Sequence, residues 1–305
     1  MPSRVQVFIL TCNRPGLVGE AVKSILRQNH PDFHVMVSDN STSNETETLC
    51  KEIKHPLFSY HRRVPPLPPL EHFNTIIREA EDDLFMMFHD DDRMMQGCLQ
   101  RLATELDRRP TFAAIVGNAY FLRNGRVSNQ KFVKRSDSLI VPSSLHLLMQ
   151  YLVHGQFAPF PAYVYRRSLM REARLSKDSG GKYSDVAFLM EVASGGPLLF
   201  IPEPVMEYRI HGFRDTSTYC MADRQALFRF IFRTTSLSRR HPGLLRWRIV
   251  ALESWYLSAR TSEFPIFHAD RWRTIQALKL RIMPFPFFAD AVKAAGKRLF
   301  SRTYR

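Results

Sequence analysis

No apolar run in this 305-residue chain approaches the roughly 18–20 residues that a membrane-spanning helix needs. Cysteine is scarce. Cys12, Cys50, Cys98 and Cys220 stand far apart and no CxxC pair occurs, which argues against a zinc site or a disulfide scaffold and fits the reduced thiols of a cytosolic protein. The chain reaches its first apolar run at Val5, too soon and with the wrong flanks for a secretory signal. There is no internal repeat, and the only biased segment is Pro65-Pro66-Leu67-Pro68-Pro69. No nucleic-acid-binding motif accompanies the positive charge, so nucleic acid is not expected as a partner.

What is present describes a globular protein. Hydrophobic residues make up 45% and aromatics 12%, enough for one large core or two modest ones. The net charge of +14 implies an anionic partner such as anionic lipid or a phosphorylated substrate. Between Arg240 and Arg305 there are 13 Lys and Arg against 4 Asp and Glu. Phe285-Pro286-Phe287-Phe288, followed by Lys293, Lys297, Arg298, Arg302 and Arg305, fits a basic amphipathic helix lying on an anionic membrane. A solvated terminal helix fits the same residues.

The first half alternates. Residues 5–10 are expected to form a strand, and 16–28 a helix with Leu17, Val18, Ala21, Val22, Ile25 and Leu26 at helical spacing. A strand over 33–38 ends at Asp39. A helix over 43–53 starts with Ser43 as its N-cap and acids in its first turn. A short strand over 58–62, a helix over 71–81, a strand over 84–89, a helix over 96–108 and a strand over 113–122 follow. Strands alternating with helices predict an α/β fold, with a mostly parallel sheet flanked by helices on both faces. Ligands then bind beyond the carboxyl ends of the strands. Three such ends carry polar groups: Thr11-Cys12-Asn13-Arg14, Asp39-Asn40-Ser41 and Asp90-Asp91-Asp92.

The third is the most telling. Phe85-Met86-Met87-Phe88-His89 runs straight into three acids. Carboxylates that close together repel, and burying them unpaired is costly or raises a pKa. A divalent cation removes the conflict. Oxygen ligands suit Mg²⁺ or Mn²⁺, which commonly bridge to a substrate's phosphates. A solvated acidic turn fits equally well, so this run alone leaves both readings open.

The order of the motifs adds more. Val7-Phe8-Ile9-Leu10-Thr11-Cys12-Asn13-Arg14-Pro15, then Val35-Met36-Val37-Ser38-Asp39-Asn40-Ser41-Thr42, then His72-Phe73-Asn74 with Ile76 and Ile77, then Phe88-His89-Asp90-Asp91-Asp92 together resemble the family 2 glycosyltransferases of the GT-A fold, over roughly residues 4–218. The resemblance implies a Rossmann-like catalytic domain over 1–220. It implies a nucleotide-sugar donor, UDP- or dTDP-linked, contacted by Thr11, Asn13, Arg14, Asp39, Asn74, Asp90 and Asp91, with Asp39 accepting a hydrogen bond from a pyrimidine N–H. It also implies a Mn²⁺ or Mg²⁺ ion held by Asp92 and Asp90, with Asp92 as direct ligand, Asp90 toward the ribose or a metal-bound water, and His211 completing the shell. Such a cation offsets the charge of the leaving diphosphate. For Asp39 an ordinary turn acid, and for Thr11 a structural strand end, remain open alternatives.

In the second half, Tyr183-Ser184-Asp185-Val186-Ala187-Phe188-Leu189 starts a helix. Asp185 suits a helix N-terminus on dipole grounds alone. In inverting members of the family an acid here is the general base that deprotonates the acceptor hydroxyl. The common Glu-Asp pair is Ser184-Asp185 in this chain, which keeps the second acid and loses its neighbour. Glu207-Tyr208-Arg209-Ile210-His211-Gly212 resembles a late family segment that closes over the diphosphate, and Arg209 suits either the diphosphate or Glu207. Residues 155–161 suit a pocket wall or the core.

Residues 221–237, 243–258 and 269–282 show helical spacing and make a basic, helical C-terminal region over 221–305. Phe228, Phe230, Ile231 and Phe232 are expected in its core, with Trp247, Trp255 and Trp272 as anchors. The family and the charge together imply a glycan or lipid-linked acceptor in cell-surface polysaccharide or lipopolysaccharide synthesis, and a cytoplasmic enzyme peripheral to the inner face of the membrane. Two other classes compete. A sugar nucleotidyltransferase usually carries a glycine-rich basic loop, which residues 11–16 lack. A non-catalytic anion-binding protein on a transferase scaffold has no need of Asp39, Asp90, Asp92 and Asp185 together.

Overall fold

The structure is a computed structural model that describes residues 3–155, 157–170, 172–210, 220–234, 248–254, 257 and 268–277. Its strands are β1 (Val5–Thr11), β2 (Phe33–Asp39), β3 (Phe58–Arg62), β4 (Leu84–His89), β5 (Arg93–Met94), β6 (Ala114–Arg123), β7 (Arg126–Lys131), β8 (Leu139–Val141), β9 (Tyr163–Arg166) and β10 (Leu198–Ile210). Its helices are α1 (Pro15–Leu26), α2 (Glu45–Glu52), α3 (Pro69–Glu79), α4 (Cys98–Asp107), α5 (Ser144–His154), α6 (Ser184–Gly195), α7 (Met221–Thr234) and α8 (Ala269–Ala277).

The strands form one sheet in the order β3-β2-β1-β4-β9-β6-β10-β5, with β7 on β6 and β8 on β10. β1 lies parallel between β2 and β4, and all seven of its residues are buried. That is why Val7-Phe8-Ile9-Leu10 read as an unbroken apolar run and not as an alternation. α1 begins with proline in its first turn, where a missing N–H costs nothing, and buries Val18, Ala21, Val22 and Ile25. β9 runs antiparallel to both β4 and β6, so β6, and β10 parallel to it, point the same way as β4. The carboxyl ends of β1, β2, β4, β6 and β10 therefore share one edge.

Some expectations are revised. Ser43 is not the cap of α2. Asn44 is, and its side chain makes no capping bond because its Oδ1 accepts from Arg62 Nη1. The strand expected near 198–201 continues to Ile210 through Pro202 and Pro204, with register shifts against β6 between Phe200 and Met206. Proline is tolerated there because a bulge asks no ladder donor of it. In the C-terminal region Phe228 and Ile231 are core and Phe230 and Phe232 half-buried. Trp272 is 43% exposed and does not anchor a core. Trp247, Trp255 and the segment 285–305 lie outside the described residues.

The chain packs as two units, Met1–Leu147 with Phe157–Leu175 and Phe188–Phe213, and Leu148–Gln156 with Ser176–Ala187 and Arg214–Arg305. The whole sheet belongs to the first. All four cysteines are free, and among the described residues no helix is long and apolar enough to cross a membrane.

Candidate active site

β1 and β2 end side by side, with Thr11 opposite Asp39. The chain then turns sharply at Asn13, whose φ is +55°. Asn tolerates this left-handed conformation because its short side chain bonds locally. The Asn13 N–H donates to Ser41 Oγ at 2.7 Å, and its Oδ1 accepts the Thr42 N–H at 3.0 Å, tying the two loops together. Asp39 is fully buried. Its Oδ1 accepts the Ser41 N–H at 2.9 Å and its Oδ2 accepts the Tyr60 hydroxyl at 2.7 Å. Burial and that carboxylate raise the Tyr60 hydroxyl above its ordinary pKa.

Alongside, Ser38 Oγ accepts from Arg63 Nε at 2.8 Å and shares a 2.7 Å hydrogen bond with His72 Nε2. Arg63 forks onto Glu79 at 2.6 and 2.5 Å. Burial, helped by the Arg63 charge, pushes His72 down to about 4. Asn74, two residues on, faces other partners. Its Nδ2 donates to the Leu175 carbonyl and its Oδ1 accepts the Leu175 N–H, both at 2.9 Å. It also lines a separate cavity of about 960 Å³ with Glu71, Arg78, Asp83, Arg167 and Arg174.

β4 delivers the acids. Asp90 Oδ2 accepts the Thr11 hydroxyl at 2.7 Å, and its Oδ1 accepts Arg14 Nη1 at 3.2 Å. The same nitrogen lies 3.6 Å from Asp91. Burial lifts the Asp90 carboxyl to about 6 although Thr11 and Arg14 pull against it. Asp92 is 1% exposed. Its Oδ1 accepts the Arg209 N–H at 2.8 Å, while its Oδ2 is buried without a hydrogen-bond partner. Burial, then repulsion from Asp91, holds its carboxyl well above the usual range.

His89 Nε2 is also buried without a partner. Its ring packs on Phe73 and Phe160 at 6.0 and 6.1 Å, and burial lowers its basicity, which favours the neutral, metal-binding imidazole. One ligand atom from each of His89, Asp91 and Asp92 lies within 4.8 Å of the others. Buried polar atoms left unsatisfied in this way call for a missing partner, and carboxylate oxygens beside an imidazole nitrogen suit a divalent cation such as Mn²⁺. Arg209 braces the loop from outside, with Nε on the Asp91 carbonyl at 2.7 Å and Nη2 on Glu20 at 2.5 Å. His211 lies outside the described residues.

Asp185 belongs to the second unit, in the first turn of α6. The turn before it is fastened to α7. Gly181 holds φ +54°, and a Cβ there would meet the Asp223 carboxylate at 2.3 Å. The Lys182 N–H donates to Asp223 Oδ2, and the Cys220 N–H to the Tyr183 hydroxyl, each at 3.3 Å. Arg224, fully buried, stacks over Tyr183 at 5.1 Å and donates to Glu253 at 3.1 Å and to the Tyr151 hydroxyl at 2.7 Å. Burial pushes the Asp185 carboxyl up to about 6, against the pull of backbone N–H groups and of the Arg224 charge.

The sequence profile of glycosyl transferase family 2 matches residues 6–172, more than half of the chain. The chain belongs to that family. It is a glycosyltransferase of the GT-A fold. A GalNAc(5)-diNAcBac-PP-undecaprenol beta-1,3-glucosyltransferase of Campylobacter jejuni is 24% identical over 185 residues, which are 58% of this chain and 56% of that protein. The fold is shared with S. aureus TarS 1-349 in complex with UDP-GlcNAc, at TM-score 0.59 and 16% identity over 99% of this chain and 93% of that one. It is shared also with the mannosyltransferase PcManGT of Pyrobaculum calidifontis in complex with GDP-Man and Mn²⁺, at TM-score 0.56 and 18% identity over 99% and 88% of the two chains.

The structure of this glycosyltransferase thus gathers Thr11, Arg14, Asp90, Asp91 and Asp92 at one strand edge and links Asn13 and Asp39 through the Ser41 loop. It adds residues that the sequence reading passed over. His89 stood next to the acids, and its position as the last residue of β4 was the available signal. Tyr60, Glu20 and Arg224 carried none, because each meets its partner only through tertiary packing.

Proposed function

We propose that this glycosyltransferase moves a sugar from a UDP- or dTDP-linked donor to a hydroxyl of a glycan or lipid-linked acceptor, with inversion, in a single displacement. The acceptor oxygen bonds to the anomeric carbon as the bond from that carbon to the nucleoside diphosphate breaks. The observation that carries the reading is the buried, partnerless Asp92 Oδ2, in a residue that offers a ligand atom within 4.8 Å of one each from His89 and Asp91, at the edge where β1 and β4 end.

Asp39 accepts the base N–H, and Thr11, Asn13 and Arg14 form the wall against the nucleotide. Asp92, Asp91 and His89, with His211 as a further ligand, would hold a divalent cation, Mn²⁺ or Mg²⁺, which when bound would supply positive charge against the leaving diphosphate. Asp90 orients Thr11 and Arg14 toward the donor. Asp185 takes the proton of the acceptor hydroxyl. Support for a uridine donor comes from the TarS complex with UDP-GlcNAc, for the metal from the Mn²⁺ of the mannosyltransferase, and for a lipid-diphosphate-linked acceptor from the name of the Campylobacter relative. Residues 1–220 serve as the catalytic domain and 221–305 as a basic appendage that keeps a cytoplasmic enzyme peripheral to the membrane.

Thermal unfolding with a panel of nucleotide sugars, with and without Mn²⁺, tests the reading, because a ligand that binds only the folded state raises the Tm. UDP- or dTDP-linked donors are expected to stabilise the protein only when metal is present. Stabilisation that ignores metal would overturn the cation's part in the reading, and none with any nucleotide would overturn the donor assignment.

A further inference from the structure

We propose that the β6–β7 hairpin is a membrane-docking element that sets the catalytic edge of the sheet against an anionic lipid surface. From Arg123 to Ser136 the chain carries Arg123, Arg126, Lys131, Lys134 and Arg135 and no acid. Among the described residues none of the five forms an ion pair. Lys131 donates to the Pro202 carbonyl at 3.1 Å, and Arg123 lies over the Phe121 ring at 5.7 Å.

The tip is rigid. Asn124 and Gly125 hold φ of +48° and +77°, the two left-handed positions of a tight hairpin turn whose twist matches its strands. That turn sets Arg123 directly opposite Arg126, both exposed. Like charges facing each other across an antiparallel pair destabilise it. With no acid to relieve them, these arginines gain from an anion supplied from outside. The next register pair joins buried Leu122 to Val127, which is 45% exposed, so an apolar side chain stands at the tip among the cations. Several unpaired cations around an exposed apolar residue suit a surface with many anions over an apolar interior, more than they suit one discrete phosphate.

Its position gives the element a use. β6 ends on the same edge as β1 and β4, and in its pairing with β10 Arg123 lies opposite Ile210, next to the Arg209–Leu122 pair. The Arg209 N–H is the donor to Asp92 Oδ1. A lipid surface met by the hairpin therefore lies beside the reaction edge, where a lipid-linked acceptor presents its glycan.

The test is co-sedimentation of the full chain with phosphatidylcholine vesicles, with or without phosphatidylglycerol. The wild type is expected to bind only the anionic vesicles and to leave them as salt is raised. The double variant Arg123→Gln/Arg126→Gln is expected to bind about 25-fold more weakly, roughly fivefold for each charge removed, with unchanged metal-dependent stabilisation by the nucleotide sugar. Unchanged vesicle binding by the variant would overturn the proposal. Release of the wild type by millimolar inorganic diphosphate at constant ionic strength would also overturn it, in favour of a discrete phosphate site. Because donor binding is read separately, failure here is distinguishable from failure of the transferase reading.

Discussion

Removing the charge of Asp92 is expected to act in opposite directions on stability and on donor binding. Its carboxyl titrates above the unfolded value, so the folded chain disfavours the ionised form. The penalty is absent below about pH 4, the unfolded pKa, and grows as pH rises through the folded one. In chelator near neutral pH, Asp92→Asn should melt a few degrees above the wild type, and that gap should close toward pH 4. With Mn²⁺ and a nucleotide sugar the order should reverse, because only the wild type gains. Asp185 makes a second prediction at this scale. A general base must be ionised, so a carboxyl pushed to about 6 should give kcat/KM an acid limb near that pH. Asp185→Asn should keep metal-dependent donor binding while transfer falls by roughly 10²- to 10⁴-fold. Near-normal turnover in the variant would remove Asp185 from the mechanism.

At the scale of elements, the irregular pairing of β6 with β10 rests on a small residue. A Cβ on Gly117 would come within 2.4 Å of the Val205 side chain, and a β-branched neighbour in a strand has few rotamers to escape into. Gly117→Ala should destabilise the protein by about 1–3 kcal/mol, read by urea unfolding. Asn74 offers a different test. It satisfies both backbone groups of Leu175, and Asn74→Ala leaves them unpaired at a cost of about 1–3 kcal/mol.

The same scale shows what a linear reading reaches. β1 and β4 are legible because burial on both faces writes an apolar run, β2 because buried Phe33, Val35 and Val37 alternate with half-buried His34 and Met36, and α1 and α3 because their buried faces repeat at helical spacing. β7, Arg-Val-Ser-Asn-Gln-Lys, has no such signal, since it is largely solvent-facing and owes its place to the Asn-Gly turn and to β6. β9 is four residues long and exists as a strand because β4 and β6 flank it.

For the whole molecule, stability should depend on pH through groups of opposite sign. His72, depressed to about 4, contributes stability that is present above the unfolded value near 6.5 and is lost as pH falls toward 4, about 3 kcal/mol in all. Over part of that window Asp90 and Asp185, both raised to about 6, act the other way, since their ionisation penalises the folded state as pH rises. In urea titrations, the stability difference between wild type and His72→Gln should therefore shrink from about pH 7 to pH 5. A constant difference would show that His72 keeps an ordinary pKa.

The α/β alternation and the three polar strand ends are local properties. Periodicity and turn chemistry act over a few residues, and parallel strands joined by helices bring their carboxyl ends to one edge whatever the details, so the sequence alone determines that Thr11, Asp39 and Asp90 meet there. Which atoms remain available at that edge is decided by partners far away in the chain. Asp90 is taken by Thr11 and Arg14, Asn74 by Leu175 and one oxygen of Asp92 by the backbone of Arg209, while His89 Nε2 and Asp92 Oδ2 are left without partners. Hydrogen-bond satisfaction is settled by three-dimensional packing, and no spacing of residues along the chain specifies it.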